Sequence, residues 1–172
     1  MGMPEIEGAI QGIEAVTAKG LVAFSFAQRS REPSPCNRRL AEAVMRIVYK
    51  ERGPVVVVSQ WEVSLALKPM MPVLTVKRHR ESGHNYLDCA EVMAQATPIF
   101  RERGITEVIP VGNPFLHLRR CEEVIREAGF TPVERKIDWI GFDRKSSQWW
   151  TRSPLELFVY AVLQKLTGRK GR

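Results

Sequence analysis

The feature that most constrains this chain is an alternation. Short β-branched or apolar runs are followed by polar loops and then by longer stretches with apolar residues on a helical period. Strands alternating with amphipathic helices build right-handed βαβ units, which means a parallel sheet with helices on both faces. The spacing predicts a helix over 3–19, with Ile6, Ile10, Ile13 and Val16 on one stripe, broken by Gly20 before a strand over 21–26. After a polar loop, Asn37 is read as the cap of a helix that turns Leu40, Val44, Ile47 and Val48 to one face and ends before Gly53-Pro54. Residues 55–58 are all valine, the mark of a strand buried on both faces. A short helix over 62–67 and a strand over 72–76 follow. Next come a helix over 85–103 stopped by Gly104, a strand over 107–111, and a helix over 114–128 stopped by Gly129. That last helix turns Leu118, Cys121, Ile125 and Ala128 to one face. A fifth strand is read over 131–137. Ser153 caps a final helix with Pro154 at its first position and Leu155, Val159, Val162 and Leu166 inward. The expected fold class is α/β, with a mostly parallel sheet of about five strands in one domain over residues 1–172.

At 172 residues the chain can bury a core without staples. No apolar run approaches the roughly 18 residues of a membrane span. The first twenty residues carry Glu5, Glu7 and Glu14 and no basic lead-in, so they are not read as a secretory signal. Cys36, Cys89 and Cys121 are odd in number and contain no C-x-x-C pair. They are read as small buried hydrophobes of a reduced, cytoplasmic protein, with neither disulfide framework nor metal site. The net charge of +7 permits anionic metabolites or nucleic acid as partners. Part of that excess lies in Arg169, Lys170 and Arg172.

Ligands of open α/β sheets sit outside the carboxyl ends of the strands. The loops expected there carry Arg29, Arg31, Arg38 and Arg39, then Ser59, Gln60, Trp61 and Glu62. They continue with Lys77, Arg78, His79, Arg80, His84 and Asn85, and with Gly112, Asn113, His117, Arg119 and Arg120. Basic and hydrogen-bonding groups from four loops, together with helix N-termini, point to an anionic guest such as a phosphate or carboxylate. A solvated surface charge is the plain reading of any single arginine among them. His117 and Arg120 stand one helical turn apart and are read as facing one cleft, with His117 a candidate acid/base. Glu62 can orient a base or hold a ribose hydroxyl; Trp149 and Trp150 either stack on a base or pack the last helix. No G-x-G-x-x-G, Walker A, G-x-S-x-G or H-E-x-x-H motif is present.

The stretch from Val111 through Gly112, Asn113, Pro114, Phe115, Leu116, His117, Leu118, Arg119 and Arg120 to Cys121, running on to Gly129 and Phe130, resembles the YdcF/SanA/ElyC-like family. His117 and Arg120 match that family's His-x-x-Arg. Residues 37–41 resemble its Arg-Leu helix opening, Val57, Val58 and Ser59 its strand ending in Ser-Gly, and residues 82–90 its Ser-x-Asn-Thr-x-Glu-Asn-Ala segment. Gln60 and Trp61 stand where the family has glycines, and Leu116 is an extra residue. The resemblance, over roughly residues 21–166, implies a three-layer Rossmann-like fold with a pocket at the carboxyl edge; one relative is linked to S-adenosylmethionine. The candidate ligand-binding residues on the carboxyl edge are Arg39, Ser59, Glu62, His84, Asn85, Asn113 and Arg120. The resemblance names no cofactor. A nucleic-acid-binding module and a non-catalytic interaction scaffold remain the alternatives.

Overall fold

The computed structural model describes residues 18–29, 32–77 and 87–167. The helix expected over 3–19 (but for its last two residues), the basic stretch with His79, His84 and Asn85, and the C-terminal arginines lie outside the described residues.

Among the described residues the strands and α-helices follow in the expected order: β1 (Lys19–Ala23), α1 (Pro35–Lys50), β2 (Val55–Gln60), α2 (Trp61–Leu67), β3 (Leu74–Val76), α3 (Cys89–Glu102), β4 (Glu107–Val111), α4 (His117–Glu127), β5 (Thr131–Pro132) and α5 (Pro154–Thr167), with a single 3-10 turn at Trp149–Thr151 before the last. The sheet is parallel throughout in the order β3-β2-β1-β4-β5. Side chains alternate across β1. Leu21 and Ala23 meet α1 and α2 on one face, while Val22 and Phe24 meet α3 and α4 on the other. The result is the three-layer, Rossmann-like α/β arrangement. Phe100 of α3, fully buried, presses its ring on Gly20, where a Cβ would come within 2.9 Å of ring carbons.

Four sequence expectations are corrected, each for a physical reason. Ser34 caps α1, taking the Asn37 N–H on its hydroxyl, because Pro35 already occupies the first helical turn. The Asn37 side chain instead accepts from the Phe26 N–H and donates to the Ala27 carbonyl, both at 2.8 Å. It thereby fixes the reversal after β1, where Ala27 holds a φ of 72°. The helix expected from 85 begins at Cys89, because the Asp88 carboxylate caps it by accepting from the Glu91 N–H. β5 stops at Pro132 rather than running to 137. The ladder that gives Val133 N–H to the Val108 carbonyl would next need an N–H from Pro110, which has none. On α5 it is Leu157 that turns inward, with Tyr160 stacked on Trp150 at 4.7 Å; Leu155, Val159, Val162 and Leu166 face out. Trp149 and Trp150 thus pack the last helix rather than stand free.

At the amino ends of β1 and β2 a cavity of about 380 Å³ is walled by Lys19, Glu51 and Arg135. Lys50 and Arg52 line it as well, and Glu51 is its one carboxylate, accepting from Lys19 Nζ at 2.9 Å and from Arg135 Nε at 2.6 Å. The Arg135 hydrogen bond, and then that of Lys19, holds the Glu51 carboxyl below its usual pKa against the opposing effect of burial. A depressed carboxylate contributes stability that is complete above its unfolded pKa of about 4.3 and is lost as pH falls through the lower folded value. Urea titrations from neutral pH downward are therefore expected to show a loss in acid that the Glu51→Gln variant lacks.

Candidate functional site

In the order β3-β2-β1-β4-β5 the chain reverses direction of growth between β1 and β4, so the crevice for a ligand lies beyond their carboxyl ends. β1 leads there into Phe24 to Gln28, and β4 into Gly112 and Asn113.

Asn113 is fully buried. Its Nδ2 donates to the Gly141 carbonyl at 2.8 Å and its Oδ1 accepts the Phe115 N–H at 2.9 Å, folding the chain back into α4. Leu116, the extra residue of the resemblance, enters that helix with a φ of 59°, a left-handed conformation costly for leucine. The detour brings the His117 ring over the strand end, beneath Phe26 at a centroid distance of 5.4 Å. Gly112 makes room: a Cβ on it would lie 3.1 Å from Cys121 Sγ and 3.3 Å from His117 Nδ1.

His117 therefore meets two sulfurs. Its Nε2 is 3.4 Å from Cys89 Sγ, at the first turn of α3, and 3.7 Å from Cys121 Sγ, one turn along its own helix; the sulfurs are 3.9 Å apart. The three donor atoms lie within 4.8 Å of one another, the compactness of a soft-metal ligand set. The tautomer points elsewhere. The Asn113 backbone N–H donates to Nδ1 at 3.3 Å, so a neutral imidazole carries its proton on Nε2, facing the sulfurs. That N–H is a donor to a thiolate, whereas a metal ion would need the Nε2 lone pair. The Cys89 thiol is lowered to about 5, first by the hydrogen bond from Cys121 and, against burial, by His117. Cys121 is pushed up, by burial and then by Cys89. Cys36 is the buried hydrophobe expected of all three, its thiol raised to about 11 by burial.

Glu62, at the start of α2 beyond β2, is only 4% exposed, and its Oε2 has no hydrogen-bond partner. Burial raises it to about 7, opposed by a backbone N–H and then by the Ser25 and Gln60 side chains. Gln60 ties this corner together, accepting from the Ser25 N–H at 3.0 Å and donating to the Leu87 carbonyl, two residues before Cys89.

Of the described arginines singled out in the sequence, four are paired with carboxylates. Arg120 turns from His117 to Glu123 and Glu127 along its own helix. Arg29 makes a two-pronged pair with Asp143, Arg38 pairs with Glu32, and Arg119 with Glu123. Arg39 donates to the Ile140 carbonyl at 3.0 Å. Ser59 is wholly buried, its hydroxyl given to the Gln60 carbonyl. Residues 140–152 wall this edge without regular strands, held by Asn113, Arg39 and Arg29, by Gln28 N–H on Ser146 Oγ and by Ser147 N–H on the Gln28 carbonyl. Cys89 and Cys121 are the members that sequence reading missed. The His117-x-x-x-Cys121 spacing, one turn apart on a helix, was the available signal.

The chain is a parallel-sheet α/β domain of Rossmann-like strand order. No family model matches it, and no curated protein matches it either. Among solved structures it is similar to Rhizobium etli pyruvate carboxylase with the allosteric activator acetyl coenzyme-A, at 17% identity and a TM-score of 0.35 over 67% of this chain and 11% of that one. At that score the likeness carries no argument. No helix among the described residues is long and apolar enough to cross a membrane.

Proposed function

We propose that the chain is a YdcF-like domain that binds a small molecule bearing an anionic oxygen, phosphorylated or nucleotide-like, beyond the carboxyl ends of β1, β2 and β4. Glu62 carries the reading. A buried carboxyl oxygen without a partner costs folding free energy and persists where a ligand completes it. Raised to about 7, this carboxyl is substantially protonated near neutrality and offers an O–H to the anion. Arg39, whose described partner is a carbonyl and not a carboxylate, supplies positive charge from α1. His117 is the candidate acid/base if the ligand is transformed.

The test is thermal stabilisation by inorganic phosphate, nucleotides, sugar phosphates and S-adenosylmethionine, read against pH. A ligand at a hundred times its Kd adds about 2.7 kcal/mol. The wild-type shift is expected to shrink as pH rises from about 6 to about 8, when Glu62 ionises, and to stay level in Glu62→Gln. A shift indifferent to both pH and the substitution, or no shift with any compound, sinks the assignment. The free protein offers an independent check. A raised carboxyl pKa leaves stability intact below the unfolded value and removes it as pH climbs to the folded one. Glu62→Gln is thus expected to gain on wild type by roughly 2–3 kcal/mol between acid and mildly alkaline pH.

A further inference from the structure

We propose that Cys89 and Cys121 are a peroxide-reactive pair, with Cys89 the attacking thiolate, Cys121 the resolving thiol and a small hydroperoxide the substrate. Four observations meet at Cys89. It stands at the first position of α3, where the positive end of the helix dipole favours a negative sulfur. The Nε2 of His117 faces it at 3.4 Å, and the Asn113 N–H on Nδ1 makes that nitrogen a proton donor. The second thiol stands 3.9 Å away, so a disulfide of about 2.05 Å needs the sulfurs to close by less than the width of an atom. Finally, Cys89 is partly exposed as a residue, whereas Cys121 is fully buried. Asp88 opposes the thiolate from the cap of α3. Tyr160 of α5 is close enough that the charges of Cys89 and Asp88 add to burial in raising its phenol. The lowered thiol of Cys89 and the raised thiol of Cys121 are the division of labour such a pair needs.

The chemistry balances without a cofactor. The Cys89 thiolate attacks the terminal oxygen of the hydroperoxide; the S–O bond forms as the O–O bond breaks, and the leaving alkoxide takes a proton from solvent. Sulfur is oxidised by two electrons to sulfenic acid, and the peroxide is reduced to an alcohol or, from hydrogen peroxide, to water. The Cys121 thiol then attacks the sulfenic sulfur, forming the disulfide and releasing water. A thiol or dithiol reductant returns the pair to its starting state.

The experiment uses the reduced full chain and one equivalent of hydrogen peroxide. Intact mass should fall by two hydrogens, and peptide mapping should join Cys89 to Cys121 while Cys36 stays reduced. Cys121→Ser should halt at a Cys89 sulfenic acid that dimedone traps, and His117→Gln should slow the first step by about tenfold through loss of the donor. The disulfide map of the wild-type chain needs no variant, so the test survives if either substitution unfolds the protein. Oxidation of Cys36 as fast as Cys89, or of Cys89 no faster than free cysteine, overturns the proposal. So does one equivalent of zinc that co-purifies and shields both sulfurs, which would make the cluster a metal site instead. Because none of these readouts involves an anionic ligand or Glu62, their failure is separable from failure of the ligand site.

Discussion

Phe100→Ala is expected to cost about 3–5 kcal/mol, the range for emptying a fully buried aromatic site, and to give the largest loss of denaturation midpoint of any single truncation on the α3–α4 face. The ring does more than fill volume. It packs on Phe130 edge-to-face at 5.8 Å and closes on Gly20, in the central strand, where no Cβ fits. Gly20→Ala is therefore expected to destabilise by about 1–3 kcal/mol through overpacking. The two effects should not add. With the ring gone, the added methyl meets no obstacle, and the double variant should fall short of the sum by a kcal/mol or more. Additive denaturation energies would mean that the close approach of ring to strand is not what makes Gly20 necessary.

Asn113→Ala is the second large effect, at about 2–4 kcal/mol, because it strands the buried Gly141 carbonyl and the half-buried Phe115 N–H. Its consequence is also local. Asn113 shapes the turn whose own N–H holds the His117 ring, so the variant should lose order at the imidazole as well as stability. Chemical denaturation gives the first quantity and the NMR line shape of the His117 ring protons the second. Loss of stability with an unchanged ring environment would show that the turn holds its shape without the side chain.

Much of the fold was legible because periodicity, unlike tertiary contact, is written locally. The valine run of β2, the short α2 and β4 over 107–111 lie where the pattern puts them, and Gly104 and Gly129, at φ of 63° and 87°, end their helices as expected. The misses share a cause. Asn37 was read as a cap because asparagine caps helices; that it reaches back to Phe26 and Ala27 is a contact across a reversal that no local pattern announces. The shortness of β5 was recoverable in principle, since Pro110 lies in the neighbouring strand, but only once strand order was known. On α5 the pattern marked an apolar stripe but could not say which side met the sheet.

The site was legible in half. His117, Asn113 and Glu62 stand at the predicted edge. The arginines misled because they were read without partners: Arg29 and Arg38 pair with Asp143 and Glu32 across loops, which the structure reveals, whereas the pairing of Arg119 and Arg120 with Glu123 was available from helical spacing. Cys89 was invisible for the reason that made His84 and Asn85 prominent. The helix was read as starting too early, which placed the thiol inside it rather than at its mouth.

One side of the carboxyl edge, residues 140–152, owes its shape to a few side-chain anchors, those of Asn113, Arg39, Arg29 and Ser146, rather than to a strand ladder. Sheet and wall are thus specified by separate residues. A substitution in the wall can redraw the outline of the crevice while the β1–β4 pairing stands untouched, and a core substitution can be absorbed without moving the wall. That separation makes the scaffold able to exchange one guest for another over evolutionary time without first relearning how to fold.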